Sequence, residues 1–220
     1  MRNLQGVIFD MDGLIFDTEH LYYRATKEIA DELAIDYDME IYKQYIGVGD
    51  DEVWAAYHEM YDDLHGEEVI VEFIDRSFNR TIELFEAGAA DLKPGLTEIL
   101  DYLAEKQIPR IIASSNQRRI IDILLEKNGL QDAFEHIVSF EDVTRAKPDP
   151  QIFEKAHQFF DAPKENILIL EDSKNGILAA HSAGIDVIMI PDLLEPTPDL
   201  VEKSLAVLDT LADVPGFLEK

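Results

Sequence analysis

Five short apolar runs, each followed by a polar cluster, constrain the fold of this 220-residue chain more than any other feature. The runs occupy residues 6–9, 110–113, 136–139, 166–170 and 185–190. Continuous apolar runs of this length are typical of strands that are buried on both faces, as in a parallel sheet covered by helices. The sequence therefore predicts a parallel sheet of at least these strands.

Amphipathic helical stretches lie between the runs. Apolar residues recur every three or four positions along residues 96–103, 120–125, 152–160 and 177–181. Gly129 and Gly184 follow two of these stretches, as is typical of a helix C-terminus. Because strands alternate with helices, we predict an α/β fold with a doubly wound parallel sheet, that is, a Rossmann-like core.

Residues 18–88 do not share this alternation. Apolar residues recur every four positions from Leu21 to Leu33, later apolar positions are also helically spaced, and no strand pattern is present. The simplest arrangement is a helical domain of residues 18–88 inserted after the first strand. The predicted α/β core then consists of residues 1–17 and 89–220.

Charge and composition exclude several classes of protein. With 46 acidic and 19 basic side chains, the formal net charge of -27 argues against binding to nucleic acid or to an anionic membrane. The absence of cysteine excludes disulfides, thiolate zinc sites and a cysteine nucleophile. No run of about 18 apolar residues and no signal-peptide pattern is seen, so a cytoplasmic protein is expected. We expect a monomer.

Polar residues follow four of the runs or lie in the loops after them. In open parallel sheets, ligands bind outside the carboxyl ends of the strands, so residues at these positions are the candidates for chemistry. These candidates are Asp10, Asp12, Ser114, Ser115, Asn116, Lys147, Glu171 and Asp172.

Four of these candidates are carboxylates, and this predicts a cation. Such a group cannot stay fully ionised without one, because mutual repulsion raises the pKa values. Mg²⁺ prefers hard oxygen ligands and commonly bridges carboxylates and phosphate oxygens. We therefore predict a Mg²⁺-dependent phosphoryl-transfer site with an aspartate as nucleophile on phosphorus. Lys147 and the hydroxyl of Ser114 would hold the phosphoryl oxygens.

Taken in order, these clusters resemble the motifs of the haloacid dehalogenase-like superfamily, in its phosphatase branch. Residues 10–13 (Asp-Met-Asp-Gly) with 17–19 (Asp-Thr-Glu) are similar to the first motif, Ser114 to the second, Lys147 to the third and residues 171–172 (Glu-Asp) to the fourth. The resemblance covers nearly the whole chain, and four motifs in order are far more specific than an Asp-x-Asp alone.

The resemblance implies a role for each catalytic residue. Asp10 attacks the phosphate ester and becomes a transient aspartyl-phosphate. Asp12 protonates the leaving alcohol and then activates water. Mg²⁺ is held by the carboxylates of Asp10 and Asp172 and the main-chain carbonyl of Asp12, with Glu171 as a further ligand or as an acid beside the ligands.

The resemblance also implies how phosphate and substrate are bound. Ser114 and Lys147 hold the phosphate, helped by backbone N–H groups near Ser115 and Asn116, where a helix is expected to begin. Helix N-termini favour anions, which supports the same expectation on physical grounds. Residues 18–88 correspond to a helical cap that closes over the site and supplies specificity for the leaving group. The expected partner is a small phosphorylated metabolite such as a sugar phosphate.

Three alternatives remain open. A phosphosugar mutase of the β-phosphoglucomutase kind shares the core, but it needs cations in the cap, whereas residues 18–88 carry 19 acids and 5 bases. A dehalogenase would leave Asp12 and Asp172 without a role. A phospho-accepting receiver module carries its acidic pair on the first strand, whereas the Glu171-Asp172 pair comes late in this chain.

Overall fold

The computed structural model describes residues 3–219. The chain divides into two compact units, one formed by Met1–Asp17 with Asp91–Lys220 and the other by Thr18–Ala90. We call them the core unit and the helical unit. Within the described range, no helix is both long enough and apolar enough to cross a membrane.

The helical unit is built from four helices around an aromatic centre. Their bounds are α1 Thr18–Glu32, α2 Met39–Lys43, α3 Asp50–His65 and α4 Glu67–Glu86. Tyr37 and Phe73 are almost completely buried, and the hydroxyls of Tyr37 and Tyr57 lie 2.9 Å apart. This hydrogen bond lets the two polar hydroxyls be buried at little cost.

The core unit contains a parallel sheet, as predicted, and the sheet has six strands. Its strands are β1 Gly6–Phe9, β2 Arg110–Ala113, β3 His136–Val138, β4 Ile167–Glu171, β5 Asp186–Met189 and β6 Ala206–Val207. Their spatial order is β3-β2-β1-β4-β5-β6, with every pairing parallel. This confirms the doubly wound α/β fold class. The edge strand β6 was not predicted, because two residues are too few to show a pattern.

Six α-helices lie in the described part of the core unit, and the apolar stretches noted in the sequence form four of them. Their bounds are α5 Leu96–Glu105, α6 Arg118–Lys127, α7 Gln151–His157, α8 Lys174–Ala183, α9 Pro198–Lys203 and α10 Asp213–Leu218. Ile8 of β1 and Ile169 of β4 pack in one apolar cluster with Phe153 of α7 and Ile177 of α8. Helices α7 and α8 therefore pack on the sheet, and its central strands are apolar at most positions, as expected for strands covered by helices.

The strand order places the ends of β1, β2 and β4 side by side. Phe9 pairs with Leu170 of β4 on one side and with Ile112 of β2 on the other. Strand β2 lies on one side of β1 and strand β4 on the other. The order in which strands are added to the sheet therefore reverses direction at β1. Ligands of doubly wound sheets bind at such a switch point, outside the carboxyl ends of the strands.

Candidate active site

Asp10 is the first residue after β1 and its position is fixed by the backbone. Its N–H donates to the carbonyl of Leu170 at 3.0 Å, and the residue is only 7% exposed. Lys147 Nζ lies 2.5 Å from Asp10 Oδ1 and 2.8 Å from Glu171 Oε1. The structure therefore brings three of the predicted site residues into one buried ion-paired group at the end of β1 and β4.

Burial raises the pKa of Asp10 to about 7. Lys147 opposes this shift, whereas Glu171 and Asp12 add to it because like charges disfavour ionisation. For Lys147, burial alone would lower the pKa, but the carboxylates of Asp10 and Glu171 outweigh burial and raise that pKa above its ordinary value. One lysine thus compensates only part of the negative charge that the site would carry when fully ionised.

Three carboxylates in this region could hold a divalent cation. Asp10, Glu171 and Asp172 are all buried, and each offers an oxygen within 4.8 Å of the others. Carboxylate oxygens at this spacing suit a hard cation such as Mg²⁺, and a cation would favour the ionised form of Asp10. The donor set therefore fits the predicted ion. The carboxylate of Asp12 lies outside this group of three.

Glu171, besides being one of these three carboxylates, accepts hydrogen bonds with both of its oxygens. Its Oε1 accepts from Lys147 at 2.8 Å, and its Oε2 accepts from the backbone N–H of Ser173 at 2.6 Å. Ser173 in turn caps α8, accepting from Gly176 N–H at 3.1 Å. Both oxygens of Glu171 are therefore engaged in fixing Lys147 and the start of α8.

Gly176 leaves the space that Glu171 occupies. A Cβ on Gly176 would lie 1.6 Å from Glu171 Oε1, far inside van der Waals contact. Gly176→Ala is therefore expected to displace the Glu171 carboxylate and with it Lys147. We expect a loss of about 1–3 kcal/mol in unfolding free energy. Misplacing Lys147 should also lower kcat/KM by about 100-fold. Chemical denaturation and steady-state kinetics measure the two effects.

Gly216→Ala is the matched control, because Gly216 is also helical and a Cβ there meets nothing within 4 Å. This variant should be as stable as wild type or slightly more stable, since alanine is the better helix former. If Gly176→Ala behaves like Gly216→Ala in both assays, the position of the Glu171 carboxylate does not require a glycine at residue 176.

Asp12 is held from the end of β2. The side-chain amide of Asn116 donates to both carboxylate oxygens of Asp12, at 3.0 and 3.2 Å, and Ser114 Oγ lies 3.4 Å from Asp12 Oδ2. Ser114 Oγ also accepts from the backbone N–H of Asn116 at 3.0 Å. Asn116, predicted as a phosphate-binding residue, therefore positions the Asp12 carboxylate in this structure.

Ser115 and the helix that follows it differ from the expectation. Ser115 is exposed, and α6 begins at Arg118 with Gln117 as its N-cap. The helix therefore begins two residues later than the start predicted near Ser115 and Asn116. The loop continues to Gln117 because the Asn116 backbone and side chain bond to Ser114 and Asp12 instead.

Several neighbours of these residues were not identified from the sequence. The missed residues are Gly176 beside Glu171, Phe153 whose ring centroid lies 4.8 Å from Lys147 Nζ, and the ion pair of Lys93 with Asp192. Asp192 follows β5, so its place after a strand was a usable signal. Nothing in the spacing of Gly176 or Phe153 indicated their contacts.

Comparison with known proteins gives consistent matches over most of the chain. A family model described as haloacid dehalogenase-like hydrolase matches residues 7–190. A probable pseudouridine-5'-phosphatase of Drosophila melanogaster is 31% identical over 220 residues, which cover 97% of this chain and 92% of that protein. A phosphorylated carbohydrates phosphatase of Thermotoga maritima is 30% identical over 183 residues, or 83% of each chain.

Among solved structures, a putative beta-phosphoglucomutase from Thermotoga maritima has a similar fold. Its TM-score is 0.82 at 27% sequence identity, and the match covers 98% of this chain and 99% of that one. The similarity therefore extends over both units of the chain and includes relatives described as phosphatases and as a mutase.

Proposed function

Because this chain belongs to the haloacid dehalogenase-like hydrolase family, we propose that it is a Mg²⁺-dependent phosphatase of small sugar phosphomonoesters. The observation that carries the proposal is the buried group of Asp10, Lys147, Glu171 and Asp172 at the switch point of the sheet. It combines a carboxylate nucleophile, a cation for phosphoryl oxygens and oxygen ligands for a metal ion.

In the first half of the proposed reaction, Asp10 is the nucleophile. A carboxylate oxygen of Asp10 attacks phosphorus while the bond from phosphorus to the ester oxygen breaks on the opposite side. Asp12 gives its proton to the departing alcohol. Asp12 is suited to this role because Asn116 and Ser114 hold its carboxylate outside the group of three acids.

In the second half, Asp12 acts as a base. It takes a proton from water, and the water oxygen attacks the phosphorus of the aspartyl-phosphate on Asp10. The acyl phosphate bond breaks, so inorganic phosphate leaves and Asp10 is restored as a carboxylate. Asp12 ends the cycle protonated, as it began, which makes the two steps balance.

The carboxylates of Asp10 and Asp172 and the main-chain carbonyl of Asp12 would hold Mg²⁺. When bound, the ion offsets negative charge on the phosphoryl oxygens. We assign Glu171 to the positioning of Lys147, because both of its oxygens already accept hydrogen bonds. Lys147 and Ser114 then bind the phosphoryl group, with Lys147 exchanging its contact with Asp10 for a phosphoryl oxygen.

The charges of the helical unit favour a monophosphate substrate over a mutase's bisphosphate intermediate. All five Lys and Arg side chains of this unit make ion pairs with acids of the same unit; the pairs involve Arg24, Lys27, Lys43, Arg76 and Arg80. A mutase must hold a second phosphate, and the acid beside each of these cations opposes the approach of another anion. We therefore favour the phosphatase and keep the mutase as the second candidate.

The two relatives named above support a sugar phosphate as the substrate class. One is described as acting on phosphorylated carbohydrates and another on pseudouridine 5'-phosphate. In both cases phosphate is esterified to a hydroxyl of a sugar. We accordingly infer that the leaving group is a sugar hydroxyl.

A phosphate-release panel of sugar phosphates, nucleotides and other small phosphomonoesters tests the function. We expect turnover of sugar phosphomonoesters with Mg²⁺ and a loss of at least about 100-fold when EDTA removes the ion, because the metal supplies several kcal/mol of charge stabilisation. Turnover that EDTA leaves unchanged would contradict the proposal. Isomerisation of β-glucose 1-phosphate in the presence of a bisphosphate activator, without phosphate release, would establish the mutase instead.

A further inference from the structure

A fourth buried carboxylate lies beside the proposed metal ligands. Asp192 follows β5, and its side chain is only 7% exposed. Its Oδ1 accepts from Lys93 Nζ at 2.5 Å. Its Oδ2 is buried and has no hydrogen-bond partner within residues 3–219. One half of this carboxylate is thus satisfied and the other half is not.

The unsatisfied oxygen borders the same small space as Asp172. A Cβ on Gly13 would lie 2.3 Å from Asp172 Oδ2 and 3.1 Å from Asp192 Oδ2. Gly13 follows Asp12, and its φ of +74° is one that residues with a side chain rarely adopt. The glycine therefore keeps open a space that two carboxylate oxygens face from different strand ends.

A buried carboxylate oxygen without a partner is costly, so its presence needs an explanation. The ion pair with Lys93 uses only Oδ1 of Asp192. It does not explain why Oδ2 is buried beside Gly13 without a partner in the described part of the chain. A second acid that borders the same space as Asp172 would be repelled by it in the absence of a cation. A bound divalent cation reverses the sign of that interaction.

We propose that Asp192 is a further carboxylate of the divalent-cation site, in which Oδ2 accepts a hydrogen bond from water in the hydration shell of the ion. This inference rests on the proposed function only in so far as Asp172 holds the ion. Mg²⁺ usually keeps several waters when it binds to proteins, and those waters need acceptors. Lys93 pairs with Oδ1 of Asp192 and leaves Oδ2 facing the space beside Gly13 that Asp172 also borders.

Binding of Mn²⁺ without substrate tests this role apart from catalysis, with free Mn²⁺ followed by electron paramagnetic resonance. Mn²⁺ uses the same oxygen ligands as Mg²⁺. Asp192→Asn should raise the Kd for Mn²⁺ by about tenfold, the lower end for partners that orient a metal site. Asp209→Asn, which removes an exposed acid of the same unit, should leave the Kd unchanged.

Lys93→Met separates the metal role from a purely structural ion pair. This variant removes the partner of Oδ1 but keeps the carboxylate, so it should bind Mn²⁺ at least as tightly as wild type. If Asp192 served only the ion pair, both variants would lose stability and both would keep the wild-type Kd. That result overturns the inference, as does an Asp192→Asn variant with wild-type affinity.

The design also distinguishes failure of this inference from failure of the proposed function. Asp172→Asn should nearly abolish Mn²⁺ binding, because it removes a direct ligand. If wild type binds no Mn²⁺, the metal site itself is refuted. If wild type binds Mn²⁺ and Asp192→Asn has the wild-type Kd, the proposed function stands and Asp192 has no part in the metal site. Should Asp192→Asn not fold, Asp192→Ser takes its place, with the same rise in Kd of about tenfold expected; a wild-type Kd in that variant would overturn the inference.

Discussion

Replacing Asp10 by asparagine should lower phosphate release from every phosphomonoester that the wild type hydrolyses by at least about 10⁴-fold in kcat, as expected for loss of a nucleophile. Asparagine has the shape of aspartate, and the backbone bond from residue 10 to Leu170 does not involve the side chain. The fold should therefore persist. A neutral amide, however, cannot attack phosphorus, and it is a weaker ligand for a divalent cation.

A coupled assay of phosphate release measures the effect, with circular dichroism to establish that the variant is folded. Asp132→Asn is the matched control, because Asp132 is an exposed acid of the same unit and its replacement should leave kcat unchanged. Rapid acid quenching should trap phosphate covalently on wild type and none on Asp10→Asn. An Asp10→Asn variant as active as wild type would refute the assignment of the nucleophile.

The sheet could be predicted from the sequence because burial imposes a simple pattern. A strand covered on both faces, such as β4, is apolar at every position until its last residue, Glu171. The pattern fails where burial is partial: β6 has two half-buried residues and gives no signal. The helices were visible for a related reason, since one face of α6 or α8 is apolar and the other is not.

The sequence could predict the site residues that lie at strand ends, because strand topology alone brings these residues together. Asp10 and Glu171 lie together because β1 and β4 are neighbours, and the predicted fold places the ends of its strands at one edge. Contacts made by loops depend on exact backbone paths instead. The hydrogen bonds of Asn116 to Asp12 and the approach of Asp192 to Gly13 are of this kind. Residue type and spacing do not specify them.

Replacing Lys147 by methionine should be the second most damaging change. Methionine fills much of the space of the lysine stem but removes the cation between Asp10 and Glu171. Breaking a buried pair in this way leaves charge unpaired, and we expect a loss of about 3–5 kcal/mol in unfolding free energy. Because Lys147 also binds the phosphoryl group in the proposed reaction, kcat/KM should fall by at least about 100-fold.

The activity lost in Lys147→Met should depend on pH, and the pKa of Asp10 determines whether the loss is larger at low or at high pH. With no metal ion bound, the pKa of Asp10 is about 7, and Lys147 acts to lower that value. Without the cation the pKa of Asp10 rises further, so less of the nucleophile is ionised at a given pH. The acid limb of kcat/KM should therefore move to higher pH, and Lys147→Met should lose more activity at pH 6 than at pH 8. Lys127→Met, at an exposed position of α6, should keep the wild-type profile. An unchanged acid limb in Lys147→Met would show that Lys147 does not control the ionisation of Asp10.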